Sequence, residues 1–210
     1  MKIVISAGPT RERIDAVRFL SNRSSGKMGF ALAGAAVEAG FDTVLVAGPV
    51  HLETTPAGVR RIDVESAAEM ATAVKREAAD ADIVIMAAAV ADYRPKQQLS
   101  GKMKKKDGDL TLELERTEDI LKSLGETKRP GQILIGFAAE TENLEQYALD
   151  KLKRKNLDWI AANDVSRSDI GFGSDANAVT LYGRSGEKIA LPIASKAEIA
   201  AALLKTCSAR

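Results

Sequence analysis

Short apolar runs alternate along the chain with longer stretches whose apolar positions recur at helical spacing. The first run, residues 3–7, is bounded by Gly8 and Pro9 and reads as a strand buried on both faces. Residues 29–36 follow as a helix whose small side chains allow close packing on a sheet, with Gly40 where a helix stop is expected. Residues 44–47 read as a second strand. Ser66 and Glu69 have the spacing of a capping box and open the next helix. Residues 83–88, 133–137 and 159–162 are the third, fourth and fifth strands, and Asn143 starts a helix that runs to about Asn156. Residues 179–182 and 188–191 alternate around a turn at 184–187, as a hairpin does. Ser195 and Glu198 repeat the capping-box spacing and open a last helix. This alternation predicts an α/β fold: a Rossmann-like, mostly parallel sheet with helices on both faces, plus a C-terminal antiparallel hairpin.

Two stretches break the pattern. Residues 8–26 form a long connection after the first strand, and residues 90–117 form a lysine-rich one after the third. Both leave the carboxyl ends of strands, where open α/β sheets bind ligands. Loops of that length are uncommon in compact domains unless they serve a site. The chain is 210 residues long, which suits one domain spanning 1–210.

Composition removes several classes of function. Aromatic residues are only 4% of the chain, too few for a stacking platform for nucleic acid, and the net charge of +1 gives no general nucleic-acid or membrane surface. One cysteine, Cys207, cannot form an internal disulfide, which fits a reducing cytoplasm; no apolar run reaches membrane-spanning length. His51 is the only histidine, so Ser-His-Asp catalysis and multi-histidine metal sites have little to work with.

The candidate chemistry lies in the two long connections. Ser24, Ser25 and Gly26 run into a helix whose free N–H groups and dipole favour an anion, with Arg18, Arg23 and Lys27 adding charge; an ordinary polar helix cap has the same appearance. It is neither a Walker A loop, since Met28 follows Lys27, nor a G-x-G-x-x-G dinucleotide turn. Ala87, Ala88 and Ala89 leave room for a flat group, and Asp92 just beyond could hold a metal or a hydroxyl, or simply cap a turn. Lys102, Lys104, Lys105 and Lys106 form a charge run that reads as a solvated loop or as a flexible flap over a polyphosphate, at about 94–108. Lys151 and Lys155, four apart, share a helix face.

Taken in order, these segments resemble bacterial phosphopantothenate–cysteine ligases over nearly the whole chain. The resemblance runs from Ser6-Ala7-Gly8-Pro9-Thr10-Arg11-Glu12 through Val17-Arg18-Phe19-Leu20-Ser21-Asn22-Arg23-Ser24-Ser25-Gly26-Lys27-Met28-Gly29 to Ala88-Ala89-Val90-Ala91-Asp92-Tyr93-Arg94. It continues in Lys102-x-Lys104-Lys105, Gly136-Phe137-Ala138-Ala139-Glu140-Thr141, Lys151-x-x-x-Lys155, Ala162-Asn163-Asp164-Val165 and Gly171-Phe172-Gly173-Ser174-Asp175-x-Asn177. Arg13 and Ala16 stand where the family has prolines, a departure that bears on the shape of the first loop.

The resemblance implies a CTP-dependent acid–amino-acid ligase. CTP activates 4′-phosphopantothenate as an acyl-cytidylate with loss of pyrophosphate; L-cysteine then displaces CMP, with Mg2+ bridging the triphosphate. By the same resemblance, Met86, Ala87, Ala88, Asp92, Lys102, Glu118, Asp119, Ile120, Leu121, Phe137, Lys151 and Lys155 bind the nucleotide. Glu118 and Asp119 are expected to do so through their backbone, since their carboxylates would repel phosphate. Asp92 serves the metal. Asn22 handles the acyl intermediate through its amide, Lys102 reaches the reacting phosphate, and Arg18 and Ser24 lie on the phosphopantothenate side. The resemblance also implies a homodimer with sites near the subunit interface, and a flavin-dependent decarboxylase domain often fused ahead of Met1. Two other functions compete: an NADPH-dependent reductase, and a non-catalytic nucleotide-binding module.

Overall fold

The computed structural model describes residues 1–52, 57–104, 108–140, 142–164 and 174–208. Its frame is an eight-stranded sheet. Six strands run parallel: β1 (Lys2–Ala7), β4 (Asp42–Ala47), β5 (Val59–Asp63), β6 (Ile83–Met86), β9 (Ile133–Glu140) and β10 (Trp159–Asp164). The hairpin of β11 (Ala176–Gly183) and β12 (Lys188–Ser195) adds antiparallel beside β10. The spatial order is β12-β11-β10-β9-β6-β1-β4-β5. The chain therefore reverses direction across the sheet between β1 and β6, which opens a crevice at their carboxyl ends.

Alternation along each strand builds two cores. Val4, Val44, Val84 and Leu134 point to one face, under α2 (Ala67–Ala78), α3 (Ile120–Glu126) and α4 (Leu144–Arg154). Ile3, Ile5, Leu45, Ile83, Ile85 and Ile135 point to the other, under α1 (Lys27–Glu38) and α5 (Lys196–Cys207). Gly29 lets α1 sit hard against β1, because a Cβ there would lie 2.4 Å from the Ala7 Cβ. Ser195 closes α5 with the full predicted capping box. Ser66 closes α2 by half of one: it accepts from the Glu69 N–H, while the Glu69 carboxylate accepts from the Glu65 N–H instead.

Several elements differ from the sequence reading. The third strand stops at Met86 instead of reaching Ala88, because the Ala88 N–H turns to the Ser6 Oγ and the Ala89 N–H to the Gly8 carbonyl. The eighth strand, β5, escaped the apolar pattern: Arg60 and Arg61 occupy it side by side at the sheet edge. There Arg60 pairs with Glu77, and Arg61 reaches Asp63 and stacks on Phe30. The long connections are not plain loops. The first contains a hairpin of β2 (Arg11–Arg13) and β3 (Phe19–Ser21), the second one of β7 (Tyr93–Pro95) and β8 (Leu114–Arg116). Arg13, in a family proline position, lies in β2 and pairs with Glu65 at 2.6 Å. Lys105, Lys106, Thr141, Val165, Gly171, Phe172 and Gly173 lie outside the described residues.

Candidate active site

The loop after β6 is stitched between its neighbours. Thr10 Oγ1 accepts from the Ala91 N–H at 3.0 Å, Thr117 Oγ1 donates to the Ala91 carbonyl at 2.5 Å, and the Thr10 N–H donates to the Ala89 carbonyl. Around this fixed strip lie two adjoining chambers over the carboxyl ends of β1, β6, β9 and β10. The larger, of about 260 Å³, is lined by Ser24, Ser25, Gly26, Lys27, Met28, Gly29, Ala87, Ala88, Ala89, Val90, Asp92, Phe137, Ala139, Lys151, Asn163, Asn177 and Lys196. The smaller, of about 140 Å³, is lined by Met86, Ala88, Val90, Ala91, Asp92, Thr117, Glu118, Asp119, Ile120, Leu121, Phe137, Lys151 and Lys155. Ala88, Val90, Asp92, Phe137 and Lys151 belong to both, so the chambers form one cleft. Bigger hollows, of about 590 and 870 Å³, lie over α1–α5 and α4; they are open surface depressions that meet the cleft at Lys27 and Lys196 and at Lys151 and Lys155.

The floor of the larger chamber is the start of α1. Gly26 caps it in a left-handed conformation (φ 79°) that a side chain would strain, and among the described residues no side chain caps the helix. First-turn N–H groups there suit an anion. Three cations stand around the chamber. Lys27 pairs with Asp175 at 2.6 Å, and Lys151 donates to the Phe137 carbonyl at 2.7 Å. Lys196 is only 8% exposed and donates to the Ser174 and Ala176 carbonyls. Burial pushes the Lys196 ammonium below its ordinary pKa, and nearby Lys27 adds to that, against Asp175.

In the smaller chamber two of the acids, Glu118 and Asp119, are neutralised. Glu118 receives Lys75 at 2.8 Å and the Ser123 hydroxyl at 2.7 Å, which hold its carboxyl below the usual range. Burial acts to raise the pKa of Asp119, but hydrogen bonds from Lys155 and the Lys122 N–H outweigh it and the carboxyl titrates low. A phosphate-bearing ligand therefore meets Glu118 and Asp119 already paired with lysines.

Met86, Ala87, Ala88, Asp92, Glu118, Asp119, Ile120, Leu121, Phe137, Lys151, Lys155 and Ser24 all line the cleft. Three candidates do not. Arg18 turns its guanidinium to Asp15, at 2.5 Å, and to the Met103 carbonyl. Lys102 is exposed and outside the chamber walls. Asn22 stands beside the wall, with Nδ2 donating to the Ala89 carbonyl at 3.0 Å and the Val90 carbonyl at 3.3 Å. Both partners are acceptors, so the amide orientation follows, and Oδ1 is the atom not engaged by these bonds. Thr117, Ala139, Asn163, Asn177 and Lys196 line the cleft without having been singled out as site residues. For two of them burial was the missing signal: Asn163 and Asn177 are 9% and 4% exposed. For Lys196 the signal was in the sequence, since a lysine in the first turn of a helix opposes the dipole.

A doubly wound sheet with an anion-suited cleft at its switch point defines a Rossmann-like α/β protein. The chain belongs to the family described as DNA/pantothenate metabolism flavoprotein C-terminal domain, which it matches over residues 1–209. It is 53% identical over 207 residues to the coenzyme A biosynthesis bifunctional protein CoaBC of Bacillus subtilis, covering 99% of this chain and 51% of that protein. The chain thus spans about half the length of the curated relatives it matches. Among solved structures it resembles the C-terminal domain of a CoaBC protein (48% identity, TM-score 0.83, 98% of this chain and 92% of that one). It shares its fold with a mutant of Cab2 in complex with phosphopantothenate-cysteine (17% identity, TM-score 0.77, 98% of this chain and 85% of that one).

Proposed function

We propose that this chain is a phosphopantothenate–cysteine ligase using CTP. The observation that carries the reading is the convergence of twelve residues, named above from the sequence alone, on one cleft at the switch point. The carboxylate of 4′-phosphopantothenate attacks the α-phosphorus of CTP, the bond to the β-phosphate breaks, and pyrophosphate leaves. The deprotonated amine of cysteine then attacks the acyl carbon, the bond to the cytidylate oxygen breaks, and CMP leaves. Each step is chiefly positioning and charge stabilisation, which fixed lysines and N–H groups supply.

The smaller chamber, between the Ala88 strip and α3, suits the nucleoside. The larger, with the α1 N-terminus, Lys27 and Lys196, suits the phosphates and the carboxylate to be activated. Because Asn22 uses Nδ2 on the Ala89 and Val90 carbonyls, its role toward the acyl intermediate falls to Oδ1, an acceptor suited to the incoming amine rather than a donor to the acyl carbonyl. Lys102 would act on the reacting phosphate from outside the chamber walls.

Magnesium is part of the same proposal. Among the described residues no group of three or more His, Cys, Asp or Glu could hold a metal ion. Mg2+ usually takes one or two carboxylates and completes its shell with water and substrate phosphates, and Asp92, in both chambers, fits that role. When bound, the ion supplies charge neutralisation at the triphosphate.

A homodimer is consistent with exposed apolar side chains on the two hairpins, namely Phe19, Tyr93 and Leu114, with Val17 and Leu99 nearby. A fused decarboxylase fits the twofold length of the relatives. Among the described residues no helix is long and apolar enough to cross a membrane, and a cytoplasmic site of action belongs to the proposal. Incubating the protein with CTP, Mg2+, 4′-phosphopantothenate and cysteine tests the reading by mass spectrometry. It stands if 4′-phosphopantothenoylcysteine accumulates with CMP, and fails if neither product forms.

A further inference from the structure

Asp15 is a buried acid with no access to the cleft. Its side chain is 0% exposed, and its two oxygens have different work. Oδ1 accepts from the Val17 and Arg18 N–H groups, both at 2.8 Å, which closes the turn between β2 and β3. A neutral Asn makes the same turn. Oδ2 reaches further. It accepts from the Arg18 guanidinium at 2.5 and 3.1 Å, and from the Met103 N–H at 3.1 Å, across 88 residues of sequence. Arg18 also donates to the Met103 carbonyl at 3.4 Å, and the Leu99 N–H donates to the Ile14 carbonyl at 3.1 Å.

Met103 is therefore held at both of its backbone polar groups by one Asp–Arg pair, and Lys102 is the residue before it. Burying a carboxylate is costly unless every lone pair is used, and the turn alone does not require the charge. We propose that Asp15 is a positioning residue: acting through the backbone of Met103, it holds the Lys102 segment against the loop that leads to Asn22 and the α1 N-terminus. This rests on the ligase reading only for the consequence in catalysis. The tether itself does not depend on it.

Asp15→Asn separates the two roles, since it keeps one oxygen for the turn and removes the anionic acceptor for Arg18 and Met103. Hydrogen exchange read by mass spectrometry over residues 96–104 should accelerate about tenfold or more, the worth of a charge-assisted hydrogen bond. CTP affinity in the presence of Mg2+ should fall about tenfold, yet show no further fall when Asp15→Asn is placed on Lys102→Gln. Met103→Pro, which removes the N–H and leaves Asp15 intact, should reproduce the exchange result should Asp15→Asn fold poorly. Unchanged exchange at 96–104 in both variants overturns the tether. Losses that add in the double variant overturn action through Lys102. If the wild-type chain binds and turns over no nucleotide, the ligase reading fails with it the catalytic consequence, while the exchange result still decides the tether.

Discussion

Lys155 Nζ lies 2.8 Å from Asp119 Oδ2, joining the end of α4 to the residue that caps α3. Asp119 also accepts from the Lys122 N–H at 3.0 Å, so one carboxylate fixes the start of α3 and the position of a lysine in the smaller chamber. Lys155→Met keeps most of the packing volume and removes the charge. We expect CTP binding, measured by calorimetry, to weaken about tenfold with a melting temperature shifted by only a few degrees, because a partly exposed ion pair contributes about 1 kcal/mol or less.

Gly125 controls the same lysine by backbone contact. A Cβ at that position would lie 1.9 Å from the Lys155 carbonyl oxygen, which leaves no room for any side chain. Gly125→Ala should destabilise the fold by about 1–3 kcal/mol. For a chain of this size that is a drop of roughly 2–12 °C in a thermal melt. Nucleotide affinity should fall with it, since Lys155 must move. An unchanged melting temperature would contradict the packing.

Acid stability should depend on Glu77. Its buried carboxylate receives Arg60 first, then Lys2 and Arg76, and its pKa is lowered from 4.5 to about 2. A depressed folded-state value stabilises the protein above the unfolded pKa, and that contribution is lost as pH falls through the folded one. Wild-type stability attributable to this group should therefore be complete above about pH 4.5 and decline towards pH 2. Glu77→Gln should be less stable at pH 7 and show a shallower loss across that window in urea titrations at stepped pH.

Cys207 should be inert while the chain is folded. It lies in the α1–α5 core, and burial pushes its thiol up to about 12, so almost no thiolate exists near neutrality. A thiol reagent at pH 8 should label it only after denaturant is added. Fast labelling of the native chain would mean that α5 opens readily.

How much of this was legible in the sequence depends on the range of the interaction that decides each feature. Five of the six parallel strands, α1 and the C-terminal hairpin follow from local apolar patterning, and Ser195 announces α5 through its own capping box. β5 did not, because two adjacent arginines hide the alternation of an edge strand whose partners come from α2 and the sheet. Charge type was readable where charge partner was not. Arg18 looked like a substrate ligand, but the structure turns it to Asp15 and Met103, and no local rule links residues 15 and 103. Asn163, Asn177 and Lys196 reach the larger chamber from three separate elements, a convergence only the folded sheet creates.

The most direct test of the central claim is pyrophosphate release by the purified chain with Mg2+, comparing CTP, ATP and GTP, with and without 4′-phosphopantothenate and cysteine. Release with CTP should require 4′-phosphopantothenate, be limited without cysteine and be continuous with it as CMP accumulates. Preference for ATP would overturn the nucleotide assignment. No release with any nucleotide from folded protein, or release independent of 4′-phosphopantothenate, would contradict the ligase itself.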